Sequence, residues 1–206
     1  MIPLAVSGWT LPAVGWAAGV PVQADVCRYY ATTIGPWFVA TGAITAAALM
    51  AFAGGPPRCR LLARGAAFCL GFAVALPARS ASTTPTAPWV HPGHTLAANG
   101  CFLLLGAAAV TAREDLIGGS ASMRPNYRDA TLHRLAVASL GLAMTVLLFR
   151  LWSSGVYAPG SDPPGDHDGP AGVHPAPALL TAQLTSFTAA AAALAFADRR
   201  EATDVG

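Results

Sequence analysis

The sequence predicts an all-α, polytopic integral membrane bundle of six transmembrane helices with both termini in the cytoplasm, and three observations predict it. Of 206 residues, 54% are hydrophobic and only 11% charged, whereas soluble domains give about a quarter of their residues to Asp, Glu, Lys and Arg. The apolar residues gather in six runs near the ~20 residues that a helix needs to cross a hydrocarbon core. The arginines fall mostly at alternate connections between those runs, as the positive-inside rule requires.

The first run, 2–20, is uncharged and contains Pro12, which membrane helices tolerate. No basic residue precedes Arg28, so the run lacks the positive start of a secretory signal and reads as a retained helix. The second run is 36–53, the third 61–78, the fourth 91–112, the fifth 132–152 and the sixth 178–197. Arg58, Arg60 and Arg64 lie between runs two and three. Arg113, Arg124, Arg128 and Arg134 lie around the connection of runs four and five, and Arg199 and Arg200 follow run six. Those segments are assigned to the cytoplasm, leaving Arg28, Arg79 and Arg150 on the outer side. The outer connections are then 21–35, 79–90 and 153–177. The whole chain, 1–206, is one transmembrane domain of a cell membrane, with the lipid bilayer as its first partner.

Small residues on helix two (Gly42, Ala46) and helix six (Ala189 to Ala193) read as surfaces for close helix approach. Thr41, Thr45, Asn99, Thr145, Thr181, Gln183, Thr185, Ser186 and Thr188 supply the interior polarity, either as interhelical hydrogen bonds or as the lining of a polar crevice. The four cysteines form no Cys-x-x-Cys pair and read as reduced thiols, with Cys69 and Cys101 at similar depth.

Composition excludes several functions. A net charge of +2, dispersed along the chain, leaves no nucleic-acid footprint. All twelve basic residues are Arg, so no lysine is present to form a Schiff base and a rhodopsin-like pigment is ruled out. The helix interiors carry no Asp or Glu, which weighs against a proton- or ion-coupled transporter. No phosphate-binding glycine loop, nucleophile elbow or His-Glu-x-x-His helix is present.

The richest chemistry is on the outer side. His91 and His94 at the start of helix four share that side with His174, Asp166 and Asp168 of the last outer connection. Imidazole and carboxylate together suit a divalent metal, zinc above all. The plainer reading makes His91 and His94 interfacial residues beside Trp89 and the two aspartates solvated loop. Pro92 and Gly93 favour a turn or a helix start there. A second candidate set, for a small lipophilic ligand, is His91, His94, Asn99, Arg150 and Gln183; for Arg150 the plainer reading is snorkelling to the headgroups. A bis-histidine haem is disfavoured, because His133 begins helix five on the opposite side from His94.

An apolar third helix ending in Leu76-Pro77 and a short outer connection leading to Trp89-Val-His-Pro-Gly-His-Thr-Leu-Ala-Ala98 resemble the uncharacterised six-helix bacterial membrane family called domain of unknown function 998. The likeness spans nearly the whole chain. Where that family carries a Ser-Asp-Leu-Gly-like segment after the first helix, this chain reads Tyr29 to Gly35. The resemblance implies six helices and an outward-facing histidine at 91 or 94, and no reaction. The leading expectation is a non-energised membrane protein that binds a small lipophilic or amphipathic molecule in an accessory, export or protective role. The alternative is a membrane-embedded, metal-dependent enzyme acting on a lipid-like or isoprenoid-like substrate. A third is a structural subunit of a membrane complex.

Overall fold

A computed structural model describes residues 2–20, 29, 32–76, 90–118, 127–156 and 176–204. Among them there are six helices and no strand: α1 Ile2–Ala17, α2 Gly35–Met50, α3 Pro57–Ala75, α4 Val90–Gly118, α5 Tyr127–Val156 and α6 Ala176–Asp204. Each of the six predicted runs contains one of these helices or most of it.

Their ends differ from the predicted ones, for a consistent reason. The apolar runs stop at charge, whereas helices stop at Pro, Gly or a change of backbone. α4 therefore continues through Arg113-Glu114-Asp115 and α6 through Asp198 to Glu201, because Arg and Glu are good helix formers. At 29, 30 and 29 residues, α4, α5 and α6 run to about 44 Å. α1 and α2, with 16 residues each, reach about 24 Å, short of one hydrocarbon thickness. α3 begins at Pro57, where a missing N–H costs nothing. Arg58, Arg60 and Arg64 thus stand on its first turns, not in a loop. Arg60 donates from Nη1 to the Ala53 carbonyl at 3.2 Å, fastening the turn between α2 and α3.

Each helix packs on its neighbours in sequence, α1 also packs on α6, and α4 touches α3, α5 and α6. α4 is the central helix. The α3–α4 register is antiparallel: a Cβ on Gly65 would sit 3.3 Å from Leu104, and one on Gly100 would sit 3.3 Å from the Cys69 sulfur. Cys69 and Cys101 therefore share a depth, as expected, and Cys59, Cys69 and Cys101 are thiols.

Small side chains make the interior. Ala63, Ala66, Ala67, Ala108, Ala109, Ala112, Ala136 and Ala190 are all within the main core, around Leu49, Leu105 and Leu194. A second cluster joins Leu11, Ile34, Phe38, Leu180 and Leu184 where α1, α2 and α6 meet. The expected close-approach positions are used: a Cβ on Gly42 would stand 2.5 Å from Val74 Cγ2 of α3, and Ala190, Ala191 and Ala193 are buried. Beside the large apolar side chains that these clusters bury, others face outward. Leu61, Phe68 and Leu96 are 72%, 72% and 76% exposed, and Trp37, Ile44, Phe72, Val137 and Leu148 are exposed with them.

Several hydroxyls of the apolar helices are satisfied within their own helix. Thr41, Thr111, Thr145 and Thr188 donate back to carbonyls of their own helices. Ser186 of α6 bridges helices: it donates to the Ser139 carbonyl of α5 at 2.8 Å, both residues being buried.

One segment, Gly93–Ala112, is a helix long and apolar enough to cross a membrane among the described residues. Gly35–Met50, His133–Leu148 and Leu180–Ala195 are apolar and shorter.

Candidate functional site

Two prolines shape the end of the bundle where α3 stops and α4 starts. Leu76 precedes Pro77, whose ring disfavours helical backbone in the residue before it. Leu76 accordingly turns extended, at φ −89° and ψ 124°, and ends α3. On the other side Pro92 lies in the first turn of α4, where its absent N–H would have had no helical partner. The segment His91-Pro92-Gly93-His94 is therefore helix throughout, and not the turn that Pro92 and Gly93 suggested.

Helical backbone at that point turns His94 inward. It is 4% exposed, not the interfacial residue of the plainer reading. Its Nδ1 lies 3.0 Å from the carbonyl oxygen of Leu76, joining the two helix ends. One turn deeper, Ala97 and Ala98 pack on Ala73 of α3.

That one hydrogen bond fixes the chemistry of the imidazole. A carbonyl oxygen can only accept, so Nδ1 carries the proton and donates it. Nε2 then holds an unshared pair, and this atom is buried with no hydrogen-bond partner. Such an orphaned acceptor costs about 1–3 kcal/mol relative to a satisfied one. A neutral imidazole, oriented by a carbonyl at Nδ1 and offering a lone pair at Nε2, can accept a hydrogen bond or ligate a metal.

The other expected ligand-binding residues are not gathered around it. Asn99 is buried, but its Nδ2 donates to the Thr95 carbonyl of its own helix at 2.9 Å. Gln183 is buried on α6, next to Leu184 of the second cluster. Among the described residues His94 bonds to Leu76 alone, with neither Asn99 nor Gln183. The helical backbone includes His91 and Arg150, whose side chains lie outside the description. His174, Asp166 and Asp168 lie outside the described residues altogether, and so does Cys27. Among the described residues no group of three or more His, Cys, Asp or Glu is placed to hold a metal.

His133 of α5 also has a buried, unpartnered ring nitrogen, Nδ1. A Cβ on Gly106 of α4 would meet Leu140 of α5, so His133, two turns before Leu140, lies level with residue 113 of α4. At the helical rise that is about 28 Å from His94 along the bundle. The two imidazoles are separate.

Two participants escaped sequence reasoning. The Leu76 carbonyl was legible only as the residue before a proline, and Ser139 only as a small polar residue on an apolar face. No family model, curated protein or solved structure matches the chain.

Proposed function

We propose that the chain is a multi-pass membrane protein that holds a small lipophilic or amphipathic molecule at the end of the bundle marked by Leu76 and His94. The observation that carries this reading is the buried lone pair of His94 Nε2, which nothing in the described protein satisfies. A group left in that state at a cost to stability is explained by a partner that arrives from outside the chain.

The membrane setting rests on the distribution of side-chain size. In water a helix bundle buries its large apolar residues and exposes polar ones. Here alanine makes up much of the interior, beside leucines such as Leu49, Leu105 and Leu194, while Ile44, Leu61, Phe68, Phe72 and Leu148 face outward. Lipid imposes that arrangement, because helices gain nothing by hiding leucine from hydrocarbon and associate through close contact of small residues. An exposed apolar surface of this extent has a hydrocarbon or protein cover. With α4 as a spanning segment, this reading has six passes, the arginine-rich connections in the cytoplasm and the His94 end outside.

The test is purification of the full chain from membranes in mild detergent, followed by native mass spectrometry for retained small lipophiles. The expected result is a bound species that is lost on His94→Leu. A second reading is favoured by the same tautomer, since Nδ1–H on a carbonyl with Nε2 open is how metal-ligating histidines are held. In that case His94 would supply one ligand of an outer zinc site, with His91, His174, Asp166 and Asp168 as the candidates to complete it. Stoichiometric zinc in the purified protein, lost on changing His94, selects the metal-dependent enzyme. Metal-free protein with a bound lipophile selects the leading reading.

A further inference from the structure

We infer that the molecule held beside His94 is a hydrogen-bond donor, a lipophilic alcohol or phenol, and that its hydroxyl donates to Nε2. This rests on the ligand-binding reading above and adds the chemical class of the ligand.

The inference follows from which nitrogen is already used. The Leu76 carbonyl, 3.0 Å from Nδ1, can only accept and so fixes a proton on that nitrogen, while Nε2 is the buried ring nitrogen without a partner, the one that accepts in an imidazole protonated at Nδ1. A ketone, quinone, ester or ether brings only acceptors, which would face the lone pair and repel it. A hydroxyl brings the proton that the site lacks. The carbonyl cannot release Nδ1 to invert the arrangement without losing its own donor at the end of α3, where helix carbonyls are short of partners.

The surroundings restrict the ligand further. The cluster one turn further along α4, Ala73, Ala97 and Ala98, is apolar, and Asn99 commits its Nδ2 to Thr95. Neither charge nor a second polar anchor has been placed beside the lone pair by the described residues. The ligand is therefore one with a single donor on an apolar body, and a phosphate or carboxylate headgroup is a poor match for a neutral acceptor.

The experiment compares two probes on the full chain in lipid-containing micelles: an alkylphenol carrying a diazirine, and its O-methyl ether, which has the same body without the donor. Photolabelling is titrated with each and the labelled residues are mapped. The expected result is that the phenol labels residues near Leu76 and His94 about tenfold more tightly than the ether, the ratio that a lost hydrogen bond of ordinary strength gives. In His94→Leu the ratio should fall to that set by partitioning into the micelle. Equal affinity of the two probes for the natural chain overturns the donor inference while leaving lipophile binding in place. Labelling by neither probe at this end overturns the ligand-binding reading itself. Both outcomes are read on the natural chain, so a misfolded variant does not blunt the test.

Discussion

Replacing Gly106 by alanine tests how the central helix is packed. An added Cβ there would lie 3.1 Å from the Leu140 Cα and 3.3 Å from its Cβ. Carbon atoms rest at about 3.5–4.0 Å, so α4 and α5 would have to part by roughly half an ångström. Leu140 cannot yield by changing rotamer, because the nearest atom belongs to its backbone. Overpacking of this kind costs about 1–3 kcal/mol, against a gain of about 1 kcal/mol from the better helix propensity of alanine. The net expectation is a loss of about 1 kcal/mol. Gly141 of α5 is the internal control, since a Cβ there meets nothing within 4 Å; Gly141→Ala keeps the propensity gain and loses no packing. Reversible unfolding in mixed micelles, followed by circular dichroism, measures both. If Gly106→Ala proves as stable as Gly141→Ala, the close α4–α5 approach is not how the bundle is built.

Further outcomes follow from the same packing. Asp in place of Ile44 or Phe68, each near the middle of its helix and facing outward, should cost about 2.5–3.5 kcal/mol and impair insertion if lipid covers these positions. Changes within about 0.5 kcal/mol in a urea or thermal assay would mean that water covers them. Ser186→Ala should lower stability by about 0.6 kcal/mol through loss of the bond to the Ser139 carbonyl, and no loss would mean that the two helices do not depend on that contact. Maleimide should fail to label Cys59, which is 0% exposed, from either side of the membrane until the protein is unfolded, so orientation must be mapped with cysteines introduced elsewhere. Nitrogen NMR of His94 should show a protonated Nδ1 and a bare Nε2 in ligand-free protein, and the opposite tautomer would remove the basis for a donor ligand.

Sequence by itself determined the class of the fold. Six apolar runs without strand periodicity become six helices in the described residues, and Gly42 and the Ala189 to Ala193 stretch announced close packing because small side chains have few other uses in such runs. It also singled out His94, and it put His133 at the far end of the bundle by simple counting along the helices. It misjudged helix lengths, since charge interrupts an apolar run without interrupting a helix, and it took His94 for an interfacial group. The tertiary structure alone decided the role of that residue. Exposure and tautomer depend on what a ring meets across space, and the atom that matters is a backbone carbonyl eighteen residues earlier, released by the proline that follows it. Backbone carbonyls carry no signature in a sequence, so only the docking of the end of α3 on the start of α4 could show which nitrogen of His94 is spent and which is left open.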